Sequence, residues 1–433
     1  MALFGLTKIE KIKPAKTVAG SIQLPGDKSI SHRYAMLGAI AEGRSEIHFF
    51  SSSADCESTL VCLGKLGVGI ERKANVVTID GVGPRGLRQP REVLDAANSG
   101  STMRMLAGIL AGQPFRSVLS GDASLSRRPM GRVIEPLTRM GARIKSVEGA
   151  RPPLEIEGGI LQAIHYQLSI ASAQVKSAVL FAGLYAEGET EVVEPIATRD
   201  HTEIALEQMG VEIGRHRQTV SVRGPARLEG KTVHVPGDMS SAAFFLAAAL
   251  LVPESNLVIQ NIGLNPTRTA ILDVLAPMGG DIRVLNVEML HGELIGDVHV
   301  ESSRLEGGEI PSGLIPRLID ELPVLAVIGT QTQKGLSFRG AAELRVKESD
   351  RLAAVAENLR RMGAELEEFP DGLRIAGRQA LRGAEVESYE DHRIAMAFAV
   401  AALVAQGTTL IRGSNCVDVS FPGFFEVLAR VTD

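Results

Sequence analysis

The chain has 433 residues, 45% of them apolar and 22% charged, with a formal net charge of −5. That length exceeds one small core and predicts two domains of about 200 residues. The mild acidity offers no general attraction for nucleic acid, so any basic patch must be local.

The stretch "MALFGLTKIEKIKPAK" is broken by charges and has no apolar run long enough for a signal peptide. The first motif, "LPGDKSISHR" at 24–33, reads as a turn at Pro25-Gly26-Asp27 followed by a helix. Asp27 or Ser29 can cap that helix. Neither explains Lys28 and Arg33, two cations gathered where a helix dipole is already positive. The helix continues as "SHRYAMLGAIAEG", apolar nearly all round, which is the pattern of a buried helix. Then "LGKLGVGI" (63–70) reads as the end of an amphipathic helix, a glycine for the left-handed position, and a strand. The run "VVTID" alternates like a half-exposed strand.

The same succession returns five times. "NSGSTMRMLAGILAGQ" brings Asn98, Gly100 and Arg104 to a second buried helix, and "GDASLSRRPMG" adds Arg127 and Arg128 in a turn before "LTRMGARI". "SIASAQVKSAVLFAGLYAEG" carries Ser172 and Gln174 at the start of a third, followed by Arg199 in "TRDH" and by "LEQMGVEI". A fourth copy runs from "VPGDMSSAAFFLAAALLVP" to "LAPMGGDI", and a fifth from "IDELPVLAVIGTQ" through "LRVKESDR" to "LRRMGAEL". The sixth opens at "EDHRIAMAFAVAALVAQG" with Arg393 and ends in "FFEVLARVTD", where its glycine would follow. The glycines at 67, 141, 210, 279 and 363 recur about every 70 residues, so the chain reads as six α/β units. "LPGDKSIS" at 24–31 also aligns with "VPGDMSSA" at 235–242, an offset of 211. This implies a duplicated pair of three-unit domains, cut near residues 20 and 237.

The duplicate serves as an internal control. Pro-Gly-Asp and the serine recur, whereas Lys28 gives way to Met239 and Arg33 to Phe244. The turn and cap belong to the scaffold, and the two cations point to function. Helix N-termini with free N–H groups, joined by arginines, suit a substrate carrying several negative charges. Asp320-Glu321 before "LPVLAV" reads equally as a cap with a first-turn acid and as acid–base machinery. Cys56, Cys62 and Cys416 lack metal-ligand spacing and read as reduced thiols in a cytoplasm. The longest apolar stretches are too short or too interrupted to span a bilayer comfortably.

The ordered set "PGDKSISHR", "NSGSTMR", "SLSRRPMGRVIEPL", "SAQVKSA", "IDELPVLAV", "LRVKESDRL" and "EDHRIAMAFAVAAL" closely resembles the 3-phosphoshikimate 1-carboxyvinyltransferase (5-enolpyruvylshikimate-3-phosphate synthase) family, over essentially the whole chain. The resemblance implies an α/β fold of two similar domains, each of three βαβαββ units around buried parallel helices, the inside-out barrel of the enolpyruvyl transferases. The expected domains are 21–236, and 1–20 with 237–433, with the active site in the cleft between them. The implied reaction adds the 5-hydroxyl of shikimate 3-phosphate to phosphoenolpyruvate, and the tetrahedral intermediate then expels phosphate. No metal or organic cofactor, nucleic acid or membrane is implied, and a cytoplasmic monomer is expected.

By the same resemblance Lys28 lies between the substrates. Ser29, Arg33, Ser172, Ala173, Gln174, Arg199, Asp320 and Lys347 then serve shikimate 3-phosphate. Asn98, Gly100, Arg128, Arg351 and Arg393 serve phosphoenolpyruvate, with Gln174 shared. Asp320 is the expected base for the hydroxyl and Glu348 the acid for the methylene, with Lys28 the other candidate. Four positions depart from the family pattern: Val419 stands where some relatives have Lys, "AANSGST" differs from the commoner "GN(S/A)GT" at Ala97 and Ser101, and Ala173 replaces a frequent Ser. Two other readings compete. The sister enzyme acting on UDP-N-acetylglucosamine carries a mobile-loop Cys in the region of "SVLSGDASLSRRP", where this chain has none. An inactive anion-binding repeat protein would not need both Asp320 and Glu348.

Overall fold

Helices that are apolar on every side must be enclosed by other elements, and six such helices set the architecture. In the computed structural model, which describes residues 8–433, they are α1 (Lys28–Ile40), α2 (Gly100–Ala111), α3 (Ala173–Gly183), α4 (Met239–Leu251), α5 (Leu322–Gln331) and α6 (His392–Leu403). In α4 every residue from Met239 to Leu250 is buried. Its alanines leave room for neighbouring backbones, while Phe244 and Phe245 lie against Phe421 and Phe424 at ring separations of 5.5 to 6.1 Å. Burial of each ring contributes about 1.5–3 kcal/mol.

The chain forms two units, each with its own apolar core. The N-terminal unit comprises Pro25–Pro236 and Leu290–Glu293, and the C-terminal unit comprises Gly237–Met289, Leu294–Asp433 and the segment ending at Leu24. Each repeat builds one small sheet. In the second, Leu94–Asp95 pairs parallel with Arg116–Ser120, which pairs antiparallel with Arg151–Glu157 and that with Arg143–Val147. A parallel pair needs a crossover, and the buried helix supplies it; the last two strands form a hairpin after the surface helix. The third and fifth repeats have the same order.

A plain tandem array would pair each first strand with the strand after its own buried helix. The two strands at the joins do otherwise. Ala19–Gln23, which leads into α1, pairs parallel with Asn256–Gly263 in the C-terminal unit, with Ser21 opposite Val258. Thr232–His234, which leads into α4, pairs parallel with Glu42–His48 in the N-terminal unit, with Val233 opposite Ile47. The two halves have exchanged their first strands. In the sixth repeat Ile9–Ile12 lies antiparallel on Thr409–Arg412, taking the third position of a three-stranded sheet.

All five repeat glycines (67, 141, 210, 279 and 363) have φ between 86 and 114°, the left-handed turn that ends each surface helix. Gly108 has a different reason. A Cβ there would meet the Ala178 carbonyl oxygen at 2.2 Å, so any side chain would force α2 and α3 apart. Among the described residues no helix is long and apolar enough to cross a membrane.

The starts of the buried helices are capped in a common manner. Asp27 accepts from Ile30 N at 2.9 Å, Ser99 from Thr102 N at 3.0 Å, and Ser172 from Val175 N at 3.4 Å. Asp238 and Asp391 do the same for α4 and α6. Asp27, not Ser29, is therefore the cap of α1. At α5 the cap position is Glu321, without a side-chain cap bond, and Pro323 removes one donor from the first turn. Asp320 precedes that position, so the cap reading of Asp320 fails.

Candidate active site

In the N-terminal unit most of the candidate residues gather at the starts of α1, α2 and α3. Lys28 is the first residue of α1, and its Nζ lies 2.8 Å from Asp55 Oδ2. Asp55 comes from the first turn of the surface helix Ala54–Lys65, and its carbonyl lies 3.4 Å from the Thr102 hydroxyl on α2. One acid thus ties the starts of two buried helices and offsets the lysine beside a positive dipole. Ser29 follows, half-buried. Arg33 is 2% exposed. It donates from Nε to Thr202 Oγ1 at 2.6 Å, from Nη1 to the Ser29 carbonyl at 2.8 Å, and from Nη2 to Ser177 Oγ at 2.8 Å.

Gly100 opens α2. A Cβ on it would lie 2.7 Å from Arg104 Nη1 and 3.4 Å from Arg128 Nη1, so two guanidiniums lie close over bare backbone. Arg128 donates to Asn98 Oδ1 at 2.8 Å and Ser124 Oγ at 3.2 Å, while Asn98 donates to Asp122 at 2.7 Å. Arg104 donates to Gln174 Oε1 at 2.7 Å, and Gln174 donates to Ser101 Oγ at 2.8 Å. Ser101 therefore keeps the hydroxyl that the commoner threonine would supply. Ala97 has φ 49°, a conformation natural to the glycine of the commoner motif and costing about 1–2 kcal/mol for alanine. Of the Arg127-Arg128 pair, the first is exposed and the second buried. Ser172 and Ala173 begin α3, and Arg199 is half-buried two residues before the helix His201–Gln208.

A second cluster lies in the C-terminal unit around Arg351, 1% exposed at the start of the helix Arg351–Arg361. Its guanidinium reaches Asp391 at 2.8 Å, Glu348 at 2.6 Å and Asp320 at 3.4 Å. Burial opposes its charge, but Asp391, Glu348 and Asp320 outweigh that and hold Arg351 above its ordinary pKa. Arg393 closes the group, with Nη1 on the Asp320 carbonyl at 2.9 Å and Nε 3.7 Å from its carboxylate. Asp391, 0% exposed, also accepts from Ser349 and from the backbone of Arg393. Lys347 and Val419 are both half-buried at the ends of short 3-10 turns.

The thiols of Cys56, Cys62 and Cys416 are free and pushed up to about 12 by burial, which leaves them poor nucleophiles. Among the described residues no group of His, Cys, Asp and Glu is arranged to hold a metal ion.

The family model for EPSP synthase (3-phosphoshikimate 1-carboxyvinyltransferase) matches residues 12–428. The chain belongs to the EPSP synthase family. It is 55% identical to the 3-phosphoshikimate 1-carboxyvinyltransferase of Solibacter usitatus over 98% of this chain and 100% of that relative. The enzyme of that name from Koribacter versatilis is also 55% identical, again over 98% of this chain and all of its own length. A solved EPSP synthase from Acinetobacter baumannii superposes with a TM-score of 0.87 at 42% identity, covering 99% of this chain and 98% of that one. The two-domain α/β fold expected for EPSP synthases is the fold observed.

Several residues that hold these candidates in place escape a linear reading. Asp55, Ser177, Thr202 and Asp391 hold the lysine and arginines named above, yet each sits in an unremarkable polar context. Asp391 has a usable signal: in "EDHR" it occupies the place of the aspartate in the two "PGD" turns. Lys176 has another, since a lysine inside an otherwise apolar buried helix must find a counter-charge.

Proposed function

We propose that this protein transfers the enolpyruvyl group of phosphoenolpyruvate to the 5-hydroxyl of shikimate 3-phosphate, releasing phosphate. The observation that carries this reading is the Arg351 cluster, where one buried guanidinium holds both candidate acid–base carboxylates, Asp320 and Glu348. The cations and helix N-termini around Lys28, Gly100 and Ser172 supply binding for the phosphates and carboxylates of the two substrates.

Asp320 takes the proton of the 5-hydroxyl as its oxygen bonds to C2 of phosphoenolpyruvate, and a proton is added at the methylene carbon. Loss of a proton from the resulting methyl group then drives out phosphate and restores the double bond. Glu348, held by Arg351 at 2.6 Å, supplies the proton added at the methylene carbon and takes one back from the methyl group in the elimination. Lys28, beside both substrates, stabilises the charge that develops on the departing phosphate. Ser29, Arg33, Ser172, Ala173, Arg199 and Lys347 bind shikimate 3-phosphate, Asn98, Gly100, Arg128, Arg351 and Arg393 bind phosphoenolpyruvate, and Gln174 is shared.

The experiment is phosphate release from phosphoenolpyruvate with each acceptor in turn. Turnover with shikimate 3-phosphate and none with UDP-N-acetylglucosamine is expected. The opposite preference would replace this reading with the sister activity, and no release with either would leave an anion-binding protein.

A further inference from the structure

Helix α3 carries a charge in its interior. Lys176 is 1% exposed, and its Nζ lies 3.0 Å from Glu194 Oε2 and 2.6 Å from Glu203 Oε1, both carboxylates buried. Each member of this triad lies beside a residue that the proposed function assigns to shikimate 3-phosphate. Lys176 follows Ser172 by about one helical turn, with Ala173 and Gln174 between them, and its neighbour Ser177 accepts from Arg33 Nη2. Glu194 accepts through Oε1 from the Thr198 backbone N–H at 3.1 Å and from the Thr198 hydroxyl, closing the loop that delivers Arg199. Glu203 lies in the first turn of the helix His201–Gln208, next to Thr202, which accepts from Arg33 Nε. One ammonium therefore joins three segments that carry Arg33's partners, Arg199 and the start of α3.

Stability alone does not call for this arrangement. Two carboxylates share a single cation, and among the described residues Glu203 Oε2 has no hydrogen-bond partner. Burial pushes the Glu203 carboxyl up, and Lys176 only partly offsets it. An apolar triad of the same volume would commonly hold the segments together as well or better. What an apolar triad lacks is direction: an ammonium with two hydrogen-bonded carboxylates fixes the angular placement of its three carriers, as supporting shells around binding sites do.

We propose that Lys176, with Glu194 and Glu203, is the positioning residue of the shikimate 3-phosphate pocket, acting through Arg33, Arg199 and the α3 start without touching substrate. This rests on the function proposed above. The test compares wild type with the charge-free triple variant Lys176→Met/Glu194→Gln/Glu203→Leu and with Thr198→Val, which leaves every charge in place. Melting temperature, kcat and the KM for each substrate are measured on the same preparations. The expected result is a KM for shikimate 3-phosphate raised about 10-fold or more in the triple variant and several-fold in Thr198→Val. The KM for phosphoenolpyruvate should rise much less, through the shared Gln174 alone, and the melting temperature should stay near wild type. If both folded variants keep the wild-type KM for shikimate 3-phosphate, or if both KM values rise equally, the positioning role is wrong. A wild-type protein that does not use shikimate 3-phosphate overturns the functional reading and this inference with it.

Discussion

The starts of α1 and α4 are the same device put to two uses. Both follow a Pro-Gly-Asp turn, and both are capped by its aspartate, Asp27 onto Ile30 N at 2.9 Å and Asp238 onto Ser240 N at 2.8 Å. The residue after the cap is Lys28 in one, its ammonium turned to Asp55, and Met239 in the other, 1% exposed in the core. Five residues further on, Arg33 is braced by two hydroxyls and a carbonyl, whereas Phe244 packs edge-on against Phe424. At α4 a cation does approach the cap, but from elsewhere: Arg268 reaches Asp238 at 3.0 Å and Ser240 at 2.8 Å. Turn, cap and buried helix are thus separable from the charges placed on them. The scaffold tolerates either set because only the surroundings of the first turn differ.

The comparison breaks most sharply under a reciprocal exchange. Met239→Lys places an ammonium in an apolar core at the positive end of a helix. Lowering its pKa by about 3–5 units costs about 4–7 kcal/mol, and urea melts should show that loss or outright unfolding. Lys28→Met should cost only about 1–3 kcal/mol, from Asp55 left without its ammonium, and the folded protein should lose turnover. A Lys28→Met variant that turns over normally would mean that the cation is only a solvated helix end.

Asp320 sharpens the same contrast, since it precedes a buried helix as Asp27 and Asp238 do but faces arginines instead of backbone N–H groups. Asp320→Ala removes no cap, so the melting temperature should change little. The single-turnover rate should fall by about 10²–10⁴-fold while shikimate 3-phosphate still binds. Early melting with normal turnover would restore the cap reading.

The smallest effect concerns His32, which stands where α4 has Ala243. Burial first, and then Lys28 and Arg33, hold its pKa well below the ordinary value. The unfolded chain therefore takes up a proton near about pH 6.5 that the folded chain refuses. This group leaves stability unchanged above that pH and lowers it by about 1.4 kcal/mol per unit below it, until the folded imidazole titrates. Unfolding free energies of wild type and His32→Gln, measured between about pH 5 and pH 7.5, should run parallel above about pH 6.5 and diverge below it, with a slope difference approaching one proton. Parallel slopes throughout would mean that the folded His32 titrates normally.

Much of the candidate site was legible because its residues sit at helix starts, where spacing from a turn fixes which way a side chain faces. Lys28, Gly100, Ser172 and Arg393 became candidates in that way, whereas Asp320 read equally as a cap. Arg104 and Gln174 were visible separately, but their hydrogen bond joins positions 70 residues apart, and nothing local announces it. Asp55 and Thr202 were opaque for the same reason, since a short polar side chain in a first turn looks like an ordinary cap or a solvated residue.

The six repeats, their buried helices, the left-handed glycines and the duplicated turns are legible without the structure. These depend on periodicity and backbone conformation, which are read within about a dozen residues. The pairing of Ala19–Gln23 with Asn256–Gly263 and of Thr232–His234 with Glu42–His48 emerges only from the packed fold. Every candidate partner there is a similar short strand with the same alternation, so local pattern cannot choose among them. Burial of whole sheets and helices can. The counter-ions of Lys28, Lys176 and Arg351 were decided at that level too, because a buried charge accepts whichever carboxylate the packing brings within reach.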